Sequence, residues 1–288
     1  MTTPDISFEF FPPRNLEASF RLWDTVQALA PLAPRFVSVT YGAGGTTRDL
    51  TREAVETIHK NSGLKVAAHL TCVDATREET IGIAQEFAKA GVSDIVALRG
   101  DPPKGSAGFT PHPEGFANSV ELISALADTG DFNIRVGAYP EIHPEAADQQ
   151  ANIDWLKAKI DAGASEALTQ FFFEPETFLR FRDACAKAGI DAPITPGILP
   201  IENWKGVRNF ATRCGTTIPA WLDDAFEKAI RDGREDLLAT ALCTEICSAL
   251  IDEGVDKLHF YTLNTPELTR DICHAIGVTP EVKLQNVA

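Results

Sequence analysis

Several features are missing from this 288-residue chain, and each absence narrows what it can be. No apolar run approaches the ~20 residues needed to span a bilayer, so a helical membrane protein is not expected. The opening "MTTPDISFEF" has no basic region followed by an apolar one, so neither is a secretory leader. Basic residues are outnumbered 26 to 41, for a formal charge of −15. Nucleic acid and anionic membrane are therefore unfavourable partners. Six cysteines (Cys72, Cys185, Cys214, Cys243, Cys247 and Cys273) include no C-x-x-C pair. A chain this long needs no disulfide staples, so a reduced, cytoplasmic protein is expected.

Common catalytic signatures are missing as well. There is no H-x-H, H-E-x-x-H or G-x-S-x-G, and no Walker or G-x-G-x-x-G glycine pattern. His69 and Cys72, three apart on a strand, would face opposite ways. Cys243 and Cys247 share a helical face without a nearby histidine and read as small hydrophobes. No metal site and no nucleophilic hydrolysis are expected, which leaves the chemistry to a bound organic cofactor.

What is present is a regular alternation. Eight strand-like runs ("ISFEFF", "RFVSVTYG", "KVAAHLTC", "DIVALRG", "NIRVGAYP", "EALTQFFF", "PITPGILP" and "KLHFYTLN") are separated by amphipathic stretches such as "REETIGIAQEFAKAG". Strict β-then-α order requires crossovers and parallel strands. Eight repeats at this length fit an α/β fold of the (β/α)₈ TIM barrel type, a single domain over residues 1–288. An open doubly wound sheet is the runner-up, but "PPRN" follows the first strand where a glycine-rich dinucleotide turn would stand. Residues 216–241 read as extra helix before the last strand.

Reacting groups of such a barrel sit at the C-terminal strand ends. In order these are Glu9, Thr40 and Tyr41, His69, Arg99-Gly100-Asp101, Tyr139 and His143, Gln170, and Thr262 with Asn264. Alternation puts Phe8 and Phe10 toward the helices and Ser7 and Glu9 into the barrel. Two readings of Glu9 stand on the residues alone. One is a buried carboxylate paired with Arg99 or a lysine; the other is a general acid kept protonated by apolar surroundings. Gly100 would permit close approach of a ligand, although "LRGDPP" also reads as a salt-bridged loop. The run "TYGAGGTTRD" reads as a turn with Thr46 or Thr47 capping a helix, which leaves room for backbone contact with a flat ligand.

Taken together, "SFEFFPPR", "VSVTYGAGG", "AHLTCVDAT", "VALRGDPP", "AYPEIHPEA", "LKAKIDAGASEALTQFFFE", "ITPGILPI", "IPAW" and "FYTLNTPE" resemble the bacterial methylenetetrahydrofolate reductase family. The pieces run in register from Ile6 to Val278. The resemblance implies a flavin-bearing barrel with non-covalent FAD and a ping-pong reaction. NADH or NADPH reduces the flavin, and 5,10-methylenetetrahydrofolate then takes the hydride to become 5-methyltetrahydrofolate. It implies catalytic roles for Glu9, as proton donor to the folate, and for Asp101, beside the developing cation. Gln170 and Phe210 would contact the folate with Glu9 and Asp101. Thr40, Tyr41, Ala43, His69, Arg99, Gly100, Asp101, Ala117, Tyr139, His143, Ala146, Asn152 and Lys159 would line the cofactor. Partners would be the folate and the nicotinamide nucleotide, with room for a homo-oligomer.

The chain also departs from a family relative. Trp155 and Ala158 replace an asparagine and an arginine, Asn152 an aspartate, and Gly206 and Thr265 a glutamine and an arginine near the folate tail. These changes keep two alternatives open: direct hydride transfer without flavin, and a non-catalytic folate-binding protein.

Overall fold

A computed structural model of the chain describes residues 3–41, 48–101 and 108–280. Eight strands form in sequence order: β1 (Asp5–Phe10), β2 (Val37–Val39), β3 (Val66–Thr71), β4 (Asp94–Leu98), β5 (Asn133–Ala138), β6 (Glu166–Phe171), β7 (Ile194–Ile198) and β8 (Lys257–Tyr261). Each pairs in parallel with its neighbours, and β8 returns to β1, closing the expected (β/α)₈ barrel. The helices are α1 (Leu16–Leu29), α2 (Arg48–Ser62), α3 (Arg77–Lys89), α4 (Ser119–Thr129), α5 (Gln149–Asp161) and α6 (Pro175–Lys187). Then follow α7 (Trp204–Cys214), α8 (Ala220–Arg231), α9 (Glu235–Asp252) and α10 (Pro266–Ala275). The extra helix expected over residues 216–241 is α8 with the first turns of α9. Among the described residues no helix is long and apolar enough to cross a membrane.

Strands covered on both faces read as continuous apolar runs, and "VAAHLT" of β3 is buried at every position. Several helices start on a side-chain cap. Asn15, Thr76, Asn118, Asp148 and Asn203 each accept backbone N–H groups that would otherwise lack partners. At Thr76 the cap is reciprocal, with Glu79 reaching back to the Thr76 N–H.

The core has two parts. Ile6, Phe8 and Phe10 belong to the shell between strands and helices, while Phe36, Ala67, Val96 and Leu168 form a small plug inside the barrel. The alternation read from β1 therefore holds: the phenylalanines pack outward and Ser7 and Glu9 point in. Below the plug lies an ion network. Arg135 reaches Asp94 (2.5 Å) and Glu166 (2.8 Å), Arg35 reaches Glu166 (2.5 Å), and Lys65 reaches Asp94 (3.1 Å).

Candidate active site

At the C-terminal strand ends the barrel opens into a cavity of about 720 Å³, within the size range of small-molecule and cofactor sites. Of the residues singled out from the sequence, the wall includes Glu9, Tyr41, His69, Arg99, Gly100, Asp101, Ala117, Tyr139, His143, Ala146, Asn152, Lys159, Gln170 and Phe210. Thr40 does not line it; its carbonyl accepts from Thr51 Oγ1 at 2.9 Å. Ala43, Thr46 and Thr47 lie outside the described residues.

Glu9 sits deep in this wall, and strand register explains its neighbours. It stands level with Ser38 on β2 and Tyr261 on β8. Ser38 Oγ donates to Glu9 Oε2 at 3.2 Å. His69 Nε2 lies 3.0 Å from the same oxygen and His259 Nε2 3.6 Å from it. Burial alone would raise the carboxyl, but the charge of His69 and the contacts of both imidazoles outweigh it and hold Glu9 well below the usual carboxylate range. This corrects two expectations. Glu9 is not kept protonated by apolar surroundings, because its immediate contacts are two imidazoles and a hydroxyl. Nor is Arg99 or a lysine its partner.

Arg99 instead grips Glu145, with Nη2 3.0 Å from Oε1, and its guanidinium lies 5.0 Å from the centre of the Phe109 ring. Gly100, which lines the cavity, is also constrained by its neighbours. Its φ is +87°, and a Cβ there would stand 2.5 Å from Val73 Cγ2. Glycine is required by the neighbouring side chains as much as by any ligand. Asp101 is exposed in the same wall.

Farther along, Tyr139 and His143 meet edge to face at 4.5 Å. His143 Nδ1 accepts from the Glu145 N–H, and burial pushes the ring below its ordinary value. Helix α5 presents Asn152, Trp155 and Lys159 to the cavity at spacings of one helical face. Asn152 Nδ2 donates to the Tyr139 carbonyl at 2.8 Å, which holds the loop after β5. Lys159 Nζ donates to Gly137 O at 2.8 Å, and burial pushes its ammonium down to about 8. Gln170 Oε1 accepts from the Phe171 N–H at 3.1 Å, and Phe210 stacks on Phe171 at 5.3 Å.

Thr262 and Asn264 serve the strand rather than the cavity. Thr262 Oγ1 donates to Glu9 O at 2.7 Å, while the Asn264 side chain bridges Phe11 N and O at 2.9 Å each. Gly206 and Thr265 are likewise outside the wall: Gly206 N–H donates to the Asn203 cap, and Thr265 borders a second hollow beside Phe20. Sequence reasoning missed His259 and Tyr261, although the same alternation that turned Glu9 inward, applied to "KLHFYTLN", would have found both. Cys243 and Cys247 are buried in the apolar shell, and among the described residues no group of three or more histidine, cysteine or carboxylate side chains is arranged to hold a metal ion.

A family model described as methylenetetrahydrofolate reductase matches residues 2–277. The 5,10-methylenetetrahydrofolate reductase of Pectobacterium carotovorum is 46% identical, with 96% of this chain and 92% of that one covered. The Escherichia coli protein of the same name is also 46% identical over the same shares. Methylenetetrahydrofolate reductase (NADH) 1 of Arabidopsis thaliana is 36% identical, and there the match spans 49% of the plant chain. Among solved structures, a Clostridium thermocellum protein described as binding two copies of 5-methyl-5,6,7,8-tetrahydrofolic acid shares the fold, with a TM-score of 0.60 at 15% identity over 95% of this chain and 94% of that one. With its barrel, its strand-end residues and these relatives in agreement, the chain belongs to the methylenetetrahydrofolate reductase family.

Proposed function

We propose that this chain reduces 5,10-methylenetetrahydrofolate to 5-methyltetrahydrofolate, taking the hydride from NADH or NADPH through bound FAD in ping-pong order. The observation that carries the reading is the gathering of Glu9, Asp101, Gln170 and Phe210 in the wall of one cavity. FAD fits the residues present. The cavity is large enough, the indole of Trp155 is 45% exposed on its wall, and the Lys159 ammonium has no carboxylate within ion-pair distance among the described residues. A half-buried cation with no counter-ion among the described residues suits a diphosphate. Lys159 would hold that end, with Tyr139, His143 and Ala146 beside the rest. When bound, FAD supplies a two-electron carrier that accepts hydride from one substrate and gives it to the next.

The chain's own residues supply binding and the proton. Glu9, whose imidazole contacts favour the carboxylate, takes up a proton once the folate is bound and delivers it toward N10, so that the C–N10 bond breaks with its electron pair moving to nitrogen. The Asp101 carboxylate stabilises the positive charge that develops on the remaining N5–methylene unit. Gln170, its side chain held against its own strand, offers an amide to whichever substrate occupies the site. Phe210 gives both substrates an aromatic wall. Two substrates using this one cavity in turn would require ping-pong order.

Anaerobic stopped-flow spectroscopy tests this. The purified protein should carry flavin absorbance that NADH or NADPH bleaches and methylenetetrahydrofolate restores. Glu9→Gln should slow the folate step by roughly 10²–10⁴-fold while bleaching persists. FAD-loaded protein that no nicotinamide reduces would defeat the reading, and equal loss of both steps would make Glu9 structural.

A further inference from the structure

Of the four tryptophans, only Trp155 stands in the cavity wall. Trp204 is buried, stacked on Phe226 at 4.6 Å with its Nε1–H donating to Asp223 at 2.9 Å, and Trp23 packs against the apolar shell. Trp221 is exposed on α8, where a lone apolar side chain at the outer surface needs no explanation. Trp155 differs from all three. It is 45% exposed inside a concave wall, and among the described residues no ring or guanidinium stacks on its indole. Its setting is rigid. Three residues earlier, Asn152 ties α5 to the carbonyls of Tyr139 (2.8 Å) and Glu141 (3.2 Å), and four residues later Lys159 ties it to Gly137 O at 2.8 Å. Helix α5 runs back from the strand ends, so on one ridge Trp155 lies about 6 Å nearer the rim than Lys159. Ala151, one turn nearer the rim again, also lines the cavity and is too small to cover the ring.

From this placement we infer that Trp155 is a stacking platform for the adenine of FAD, and that it makes the cavity select a flavin dinucleotide over a flavin mononucleotide. The inference rests on the proposed function, which sets the diphosphate at Lys159. In FAD the diphosphate joins two ring systems. The isoalloxazine has to lie on the inner side of Lys159, toward Glu9 deep in the wall, which leaves the adenosine on the outer side. There the Trp155 indole stands one helical turn from the ammonium, about the reach of a ribose. Adenine is flat and neutral, so an open aromatic face suits it, and stacking on that face needs no matched hydrogen bonds. Because α5 is tied to β5 and its following loop on both sides of Trp155, little further ordering is needed to form the stack. FMN ends at its single phosphate, so it reaches Lys159 and leaves Trp155 uncovered.

Equilibrium titration of cofactor-stripped protein with FAD and with FMN, followed by flavin fluorescence, tests this. Wild-type protein should bind FAD the more tightly of the two. Trp155→Ala should weaken FAD by roughly ten-fold and leave FMN unchanged, while Trp155→Phe, which keeps a ring, should recover most of the loss. ADP carries the adenine and the diphosphate without a flavin. It should quench indole fluorescence in stripped wild-type protein and leave that of Trp155→Phe unaltered. Unchanged FAD affinity in Trp155→Ala would overturn the inference, as would FAD and FMN weakened alike. If Trp155→Ala fails to fold, the wild-type protein decides: FMN bound as tightly as FAD, or indole fluorescence indifferent to ADP, overturns it. Failure of the proposed function looks different, with wild-type protein binding neither flavin or holding FAD that no nicotinamide reduces.

Discussion

Two buried charge clusters occupy the same barrel, one at each end, and they are built on opposite principles. At the lower end every carboxylate oxygen is met. Asp94 accepts from Asn133 (2.7 Å), Arg135 and Lys65, while Glu166 accepts from Arg35, Thr195 (2.7 Å) and Arg135. At the upper end two imidazole nitrogens meet one oxygen of Glu9, and neither has another partner among the described residues. A satisfied cluster is rigid and inert, whereas an under-satisfied one is ready to take up or release a proton. In TIM barrels the lower face serves stability and the upper face chemistry, and here the difference lies in what meets the carboxylates. Below are guanidinium, ammonium, amide and hydroxyl donors, although Arg35 Nε itself lacks a partner among the described residues; above are two imidazoles and a hydroxyl.

The contrast is broken most forcefully from below. Arg135→Met removes the cation that joins Asp94 to Glu166 and leaves buried charge uncompensated. A loss of about 3–5 kcal/mol in urea unfolding is expected, with turnover per folded molecule close to wild type. Stability unchanged within error would mean that the lower network is not a structural element.

Acid unfolding probes the same network more gently. Burial pushes Asp94 and Glu166 up, but hydrogen bonds and charge from Arg135, Asn133, Thr195 and Arg35 leave both below their ordinary values. A depressed folded pKa contributes stability that is present above the unfolded value, near ~4 for a carboxylate, and is lost as pH falls below it. Melting temperature should therefore be flat near neutrality and drop below about pH 4. In Arg135→Met, where burial is less opposed, both folded values move back toward the unfolded one, so the protein is less stable near neutrality and the drop should be shallower. An acid limb equally steep in both proteins would contradict this.

Much of the architecture was legible because it depends on periodicity. Eight alternations fixed the barrel, and period two along β1 separated Phe8 and Phe10 from Ser7 and Glu9. What could not be read was partnership across strands. Glu9 meets His69 and His259 because register aligns β1 with β8 and curvature brings β3 near, and neither quantity is local in sequence. For the same reason Arg99 looked available to Glu9 when it is held by Glu145. Nor does the sequence show that Val73 and Thr71 fill the space beside Gly100, a constraint additional to its place in the cavity wall. Apolar neighbours along a strand say what lies on the other face, so they were a poor guide to whether Glu9 would hold its own proton.

The smallest effect sharpens the comparison furthest. Arg135 below is buried and Lys159 above is half-buried in the cavity wall, yet among the described residues only Arg135 of the two has carboxylate partners. Burial takes Lys159 down to about 8 from an ordinary value near 10.5, with Gly137 O as its hydrogen-bond partner. Between those values the unfolded chain binds more protons than the folded one, so stability rises with pH across that window, and the full cost is present below it. Lys159→Met should remove the cost, offset in part by the lost bond to Gly137. Cofactor-free protein should then melt about 1–2 °C higher at neutral pH and lose its slope between pH 8 and 10. Under the proposed function the same variant should hold FAD at least roughly ten-fold more weakly, since a charge-assisted contact to an anion is worth more than one to a neutral group. A cation that weakens the empty fold and strengthens the loaded one belongs to the upper cluster's logic. If Lys159→Met instead destabilises the empty protein as Arg135→Met does, Lys159 belongs with the lower network and the division between the two ends fails.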